Sequence, residues 1–261
     1  MEASSATAPP SEVRGQVSAA EWQARVELAA CYRLTELFGM TDLIANHISC
    51  RVPGTHDQFL INPFGMLYDE IDASSLIKID VEGRTILNTS GYGVNAAGFV
   101  IHGAVHKARP EIACVAHTHT PAGMAVSALK GGLVPMAQTA MPFLHLAYHD
   151  FEGIADELDE QQRIVRDLGG NNAMILRNHG LLVGGRSVGE AFSLLYRLER
   201  ACQVQLMAMA SNSELTLPPR QVMERTYAKY QARKDDPVVN GELAWTALLR
   251  RLDRIDPSYR H

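Results

Sequence analysis

Apolar residues first fall into helical register at Trp22, Val26, Ala30, Leu34 and Leu37, a spacing that predicts an amphipathic helix. Ser18 followed by Glu21 forms a capping box at its start, and Gly39 supplies the stop. The pattern then shortens. "ISCRV" (48–52), "QFLIN" (58–62), "SLIKID" (75–80) and "VEGRTIL" (81–87), with a turn at Glu82–Gly83, predict a strand-rich first half. "GFVIHGAVHK" (98–107) predicts a short helix with Phe99, His102 and Val105 or His106 along one side, ended by Pro110. "IACVAHTH" (112–119) predicts a buried strand, and Thr120 with Pro121 suit the N-cap and first position of a further helix. "NAMIL" (172–176) and "GLLVGG" (180–185) predict strands joined through "RNHG". Ser187 and Glu190 then open a long helix with Leu194, Leu195, Leu198 and Cys202 on its inner face. After Asn212 come a polar helix around 220–233 and another over 241–254.

Composition narrows what such an α/β chain does. At 261 residues, 46% hydrophobic, it fits one large domain or two small ones. Lys and Arg number 24 against 29 acidic residues, with no basic block, which excludes an electrostatic footprint for nucleic acid or an anionic membrane and leaves a small molecule or a protein as partner. Cys31, Cys50, Cys114 and Cys202 fit neither a metal pair nor a disulfide framework and imply reduced thiols in a cytosolic setting. The first 15 residues are rich in Ser, Ala and Pro, lack a signal-like apolar core, and no later run reaches the ~18 apolar residues of a membrane span. The expectation is a disordered tail over 1–17 on a cytoplasmic protein.

The candidate chemistry centres on "HTHTPAG" (117–123). In an extended strand, side chains two residues apart share a face, so His117 and His119 can converge on one ion while Thr118 points away. His179, in "LRNHGLL", lies between an apolar strand and a glycine that frees the turn, a rigid edge suited to a third ligand. Three neutral imidazoles with an open position make a catalytic rather than a structural metal site.

Together with these, "NHISCRV", "FLINPFGMLYDEIDASSLIKID", "AGFVIHGAVHKARPEIACVAHTHTPAGMAVSALKGGLVP", "AYHDF" and "LRNHGLLVGG" resemble the class II aldolase/adducin family, from about Glu21 to Ser211, nearer its adducin-like branch than its sugar-phosphate aldolases. The resemblance implies a single-domain three-layer α/β/α sandwich around a central, mainly antiparallel sheet, spanning 18–211, with a helical extension over 212–261. It implies a homotetramer with active sites at subunit interfaces. It also implies a divalent cation, zinc first and Fe(II), Mn or Co as alternatives, held by His117, His119 and His179. Where aldolases carry an acidic residue 19 positions before the histidine pair, this chain has Gly98. The serine pair of the phosphate grip reads Ala96 and Ala97, and its Thr-Gly loop reads Phe64-Gly65, which implies a non-phosphorylated substrate. The tyrosine that aldolases contribute across the interface falls near Thr139, with Gln138, His145, Tyr148, His149 and Tyr259 as substitutes.

The catalytic candidates are therefore His102, His145 and Tyr148, and the substrate-binding candidates Asn46, His47, Gly65 and Gln138. His102, one helical turn after Gly98, either packs behind the site or leans into the vacated position as a ligand or an acid–base group. A cation with three neutral ligands keeps its full charge and attracts a chelating 2-oxo or 2-hydroxy carboxylate. The expected function is a metal-dependent carbon–carbon lyase of aldolase or decarboxylase type. The alternatives are a non-haem iron oxygenase acting on a 2-oxo acid and a non-catalytic, adducin-like interaction domain.

Overall fold

The computed structural model describes residues 10–153 and 159–261. Its strands are β1 (His47–Arg51), β2 (Gln58–Ile61), β3 (Ile77–Asp80), β4 (Thr85–Leu87), β5 (Cys114–Thr118), β6 (Ala147–His149), β7 (Ala173–Leu176) and β8 (Gly180–Gly185). Its helices are α1 (Pro10–Gln16), α2 (Ala19–Leu37), α3 (Ala96–Ala108), α4 (Pro121–Ser127), α5 (Glu160–Leu168), α6 (Val188–Ala210), α7 (Arg220–Ala232) and α8 (Glu242–Ile255). The strands form one eight-stranded sheet in the order β4-β3-β2-β1-β5-β8-β7-β6. Every pairing is antiparallel except β6 with β7. The expected three-layer α/β/α sandwich around a mainly antiparallel sheet is the fold observed.

Period-two alternation assigns each strand face to a layer. Ile48 and Cys50 of β1 and Cys114 and Ala116 of β5 enter a large core with α2, α6 and α8. Val115 of β5 faces the other way, into a smaller core with Ile101 and Val105 of α3 and Ile164 and Leu168 of α5. His47, Ser49 and His117 share the parity of Val115, since His47 pairs with His117 and Ser49 with Val115. All three thus point at the α3 layer, where polar side chains are buried together.

Of both expected capping boxes the serine half forms: the Ser18 and Ser187 side chains accept from the Glu21 and Glu190 amides at 3.0 and 3.1 Å, while the Glu21 carboxylate turns to Arg25 and Lys78 and that of Glu190 to Arg186. Several elements escape the sequence patterns. β6 is a three-residue edge strand, "AYH", too short to show alternation. α5 is polar apart from a few inward residues such as Ile164 and Leu168, and a 3₁₀ turn covers Gln138–Phe143. The expected tail over 1–17 lies outside the described residues for 1–9, and over Pro10–Gln16 it is corrected to a helix. The extension after residue 211 is helical, and α8 joins the main core through Trp245 and Leu252. The four cysteines are free and buried, and among the described residues no helix is long and apolar enough to cross a membrane.

Candidate metal centre

His117 lies on β5 and His119 one residue beyond its end, while His179 closes the turn between β7 and β8. In that turn Asn178, with φ 54°, adopts the left-handed conformation. Gly180 serves a different purpose from the one its sequence suggests: a Cβ there would stand 2.3 Å from the Thr118 carbonyl oxygen. Its absence lets β8 approach β5 closely enough to bring His179 beside the histidine pair. The three Nε2 atoms converge, at 2.8 Å for His117–His119, 2.9 Å for His119–His179 and 3.2 Å for His117–His179.

The donor set fits a cation. His117 Nδ1 lies 2.9 Å from the Leu181 carbonyl oxygen, which only accepts, so the ring proton is on Nδ1 and Nε2 presents a lone pair. Asp42 fixes His119 in the same tautomer, its Oδ2 lying 3.3 Å from His119 Nδ1. Two lone pairs facing each other at 2.8 Å repel unless a positive centre stands between them. A proton is disfavoured there. Burial, then the neighbouring imidazoles, holds His117 well below the usual histidine range, and burial pushes His179 down to about 4. Tetrahedral zinc, with Zn–N of about 2.0–2.1 Å, would need only a slight spreading of these nitrogens.

Beside the triad, the His47 and His117 ring centroids are 5.0 Å apart. His47 Nδ1 is 2.8 Å from His102 Nε2, His102 Nδ1 is 2.6 Å from Ser49 Oγ, and Ser49 Oγ is 2.7 Å from His106 Nε2. All four side chains in this chain are buried. Gly98, His102 and His106 follow the four-residue stripe of one helix face. A Cβ on Gly98 would lie 3.1 Å from the His47 ring, so the glycine makes room for that imidazole.

The profile described as "Class II Aldolase and Adducin N-terminal domain" matches residues 26–206. The chain belongs to the class II aldolase/adducin family. An aldolase II superfamily protein from Pseudomonas syringae is 48% identical, with a TM-score of 0.91 over 96% of this chain and 100% of that one. L-fuculose 1-phosphate aldolase from Glaciozyma antarctica is 28% identical, with a TM-score of 0.80 and 98% of both chains covered. Alpha-adducin of Rattus norvegicus is 40% identical over 95% of this chain, which spans only 36% of the adducin.

Within this family frame the remaining candidates separate. Of the two roles open to His102, the structure places it behind the site: His102 is fully buried and bonded to His47, and the His47 ring stands over Gly98. The signal was present in the sequence as His47 and Ser49 at period two opposite His102 and His106 at period four. Asn46, also buried, has neither amide atom hydrogen-bonded. Gly65 has φ 127°, and a Cβ there would meet the Tyr92 ring at 2.7 Å, so that ring accounts for this glycine.

Apart from His149, which shares a small cavity with His179, the structure does not bring the other candidates to the triad within this chain. His145 is exposed and pairs with Glu224 of α7 at 3.1 Å. The Tyr148 hydroxyl accepts from the Leu133 amide at 3.0 Å, with the Arg177 guanidinium 4.2 Å above its ring. Gln138 and Thr139 are exposed in the 3₁₀ turn. Tyr259 is buried and donates to Asp253 at 2.7 Å, and His149 donates to Asp167 at 2.7 Å. The side chains of Ala96 and Ala97 lie outside the described residues.

Proposed function

We propose that this chain is a divalent-metal-dependent carbon–carbon lyase of class II aldolase type, acting on a non-phosphorylated 2-oxo or 2-hydroxy carboxylate. The observation that carries the reading is the convergence of three Nε2 atoms within 2.8–3.2 Å, two of them with tautomers fixed as lone-pair donors. His117, His119 and His179 would hold the ion, zinc first and Fe(II), Mn or Co as alternatives. Such an ion supplies polarisation of a substrate carbonyl and stabilisation of the enolate left when a carbon–carbon bond breaks.

Proton movement falls to His47 Nε2. Its Nδ1 bonds to His102, so whichever of the two carries the proton in that bond decides whether His47 Nε2 is a base or an N–H acid. A proton taken up at Nε2 adds one positive charge to His47 and the buried chain of His102, Ser49 and His106 behind it, a charge that burial disfavours, so the proton is readily handed back to the substrate. Asn46, with its buried amide unpaired, offers one donor and one acceptor side to a carboxylate or hydroxyl group. The reading extends to a homotetramer in the cytoplasm, with sites at subunit interfaces and with the exposed His145 and Gln138 turned toward a neighbouring subunit together with Tyr148. The free thiols support that compartment.

The test uses pyruvate as the simplest 2-oxo acid. Metal-loaded protein in D₂O should exchange the pyruvate methyl protons, followed by NMR. Chelation or His179→Ala should abolish exchange, and His47→Gln should slow it about 100-fold or more while metal stays bound. Exchange that is indifferent to chelator and to His179→Ala overturns the reading. The 40% identity to alpha-adducin over 95% of this chain favours a second reading, a non-catalytic interaction domain. Absence of bound metal after loading with Zn(II), Mn(II) and Fe(II) would establish it, whereas Fe(II)-dependent oxygen uptake with a 2-oxo acid would mark an oxygenase.

A further inference from the structure

A second cluster of ligating groups adjoins the triad at the edge strand of the sheet, where β6 ends at His149 and α5 begins at Glu160, and the two share a cavity wall at His179. The His149 side chain is 4% exposed. Its Nδ1 lies 2.7 Å from Asp167 Oδ2, so the carboxylate holds the ring proton there and a neutral ring presents its lone pair at Nε2. That Nε2 is buried and has no hydrogen-bond partner. It faces Glu160 Oε1 at 3.5 Å and Glu152 Oε1 at 4.0 Å. Two buried acceptors, His149 Nε2 and Glu160 Oε1, therefore converge with no donor between them, an arrangement costly to bury uncompensated, while the more exposed Glu152 Oε1 also accepts from Arg163 Nε at 2.8 Å.

The space and the charge both suit a cation. A cavity of about 10 Å³ opens between these groups, bounded also by Ile101, Arg177 and His179, room for about one water-sized body. Arg163 holds Glu152 and Asp159 from the other side, and Arg166 holds Asp167. Counting Glu160 and the cavity-lining Asp150 and Arg177 as well, five carboxylates meet three guanidinium groups, a deficit of positive charge about equal to one divalent ion. Burial raises the Glu160 carboxyl above its usual range, as it does for an acid lacking a compensating cation.

We propose that His149 Nε2, Glu160 and Glu152 form a second divalent-cation site, separate from the three-histidine centre and suited to an ion that accepts one imidazole and two carboxylates, of the Mn²⁺ or Zn²⁺ kind. The competing arrangement is a doubly protonated His149 bridging Asp167 and Glu160 with no ion.

The experiment counts metal. Full-length protein is stripped with EDTA, loaded with Mn(II), desalted, and assayed for manganese per chain by mass spectrometry, with an anomalous difference map from crystals so loaded. Two ions per chain are expected, falling to one in Glu160→Gln and in His149→Gln while the three-histidine ion stays. Glu152→Gln, farther from the core, provides a variant that leaves the His149–Asp167 pair untouched. One ion that survives His117→Ala also supports the proposal. A single ion that His117→Ala removes overturns it, as does a second ion that persists in both His149→Gln and Glu160→Gln. A doubly protonated His149 seen by ¹⁵N NMR at neutral pH in protein loaded with diamagnetic Zn(II) overturns it too.

Discussion

His106 shows how one buried imidazole sets a pH limit on the molecule. Burial, and then the charge of Arg51, lowers its pKa to about 3, against about 6.5 in an unfolded chain. The unfolded state therefore takes up the proton first as pH falls. The stability contribution is complete above about pH 6.5 and drains between there and the folded value, by up to about 1.4 kcal/mol per pH unit. Metal-free wild-type protein is expected to lose more unfolding free energy in urea between pH 7 and 5 than His106→Gln, which keeps a polar atom near Ser49 but cannot take up the proton. Parallel curves for the two proteins would contradict this.

At the scale of elements, the candidate centre depends on how closely two strands approach. β5 and β8 pair along Cys114–Thr118 and Leu181–Gly185, and Gly180 admits the Thr118 carbonyl into the space a side chain would fill. The obstacle is backbone on a paired strand, so it cannot rotate away. Gly180→Ala is expected to destabilise by about 1–3 kcal/mol or more. It should also weaken metal binding, because His179 moves with β8; equilibrium unfolding and a zinc titration check the two effects. Thr120 contributes separately: it caps α4 by accepting from the Gly123 amide at 3.2 Å and donates to the buried Glu199 of α6. The element after the histidine pair is thereby tied to the long helix beneath the sheet.

For the whole molecule, the C-terminal segment is part of one core. Trp245 of α8 lies against Gly189, where a Cβ would come 2.6 Å from the indole, and its ring centroid is 5.8 Å from that of Phe192. Leu252 of α8 lies in the same core as α2 and α6. Trp245→Ala is expected to cost about 3–5 kcal/mol in a single transition that melts the metal centre with the rest. A separate early transition of α7 and α8, with the centre intact, would show instead that the extension folds independently. α7 has no buried residue and should tolerate substitution far better.

Much of this protein was legible in its linear pattern. The serine caps at Ser18 and Ser187, the alternation of β1 and β5 and the apolar runs of β7 and β8 are local properties, fixed by the periods of strand and helix. The pairing of His117 with His119 is local in the same sense. What the pattern could not carry was proximity across the fold. That His47 covers Gly98, that Gly180 stands for close approach while Asn178 turns the chain, and that His149 meets Glu160 all depend on contacts between residues distant in sequence. His102 shows the limit: its place on α3 is periodic, but whether it reaches the site or stands behind it depends on which imidazole the facing strand presents. Only packing the sheet against that helix decided the matter.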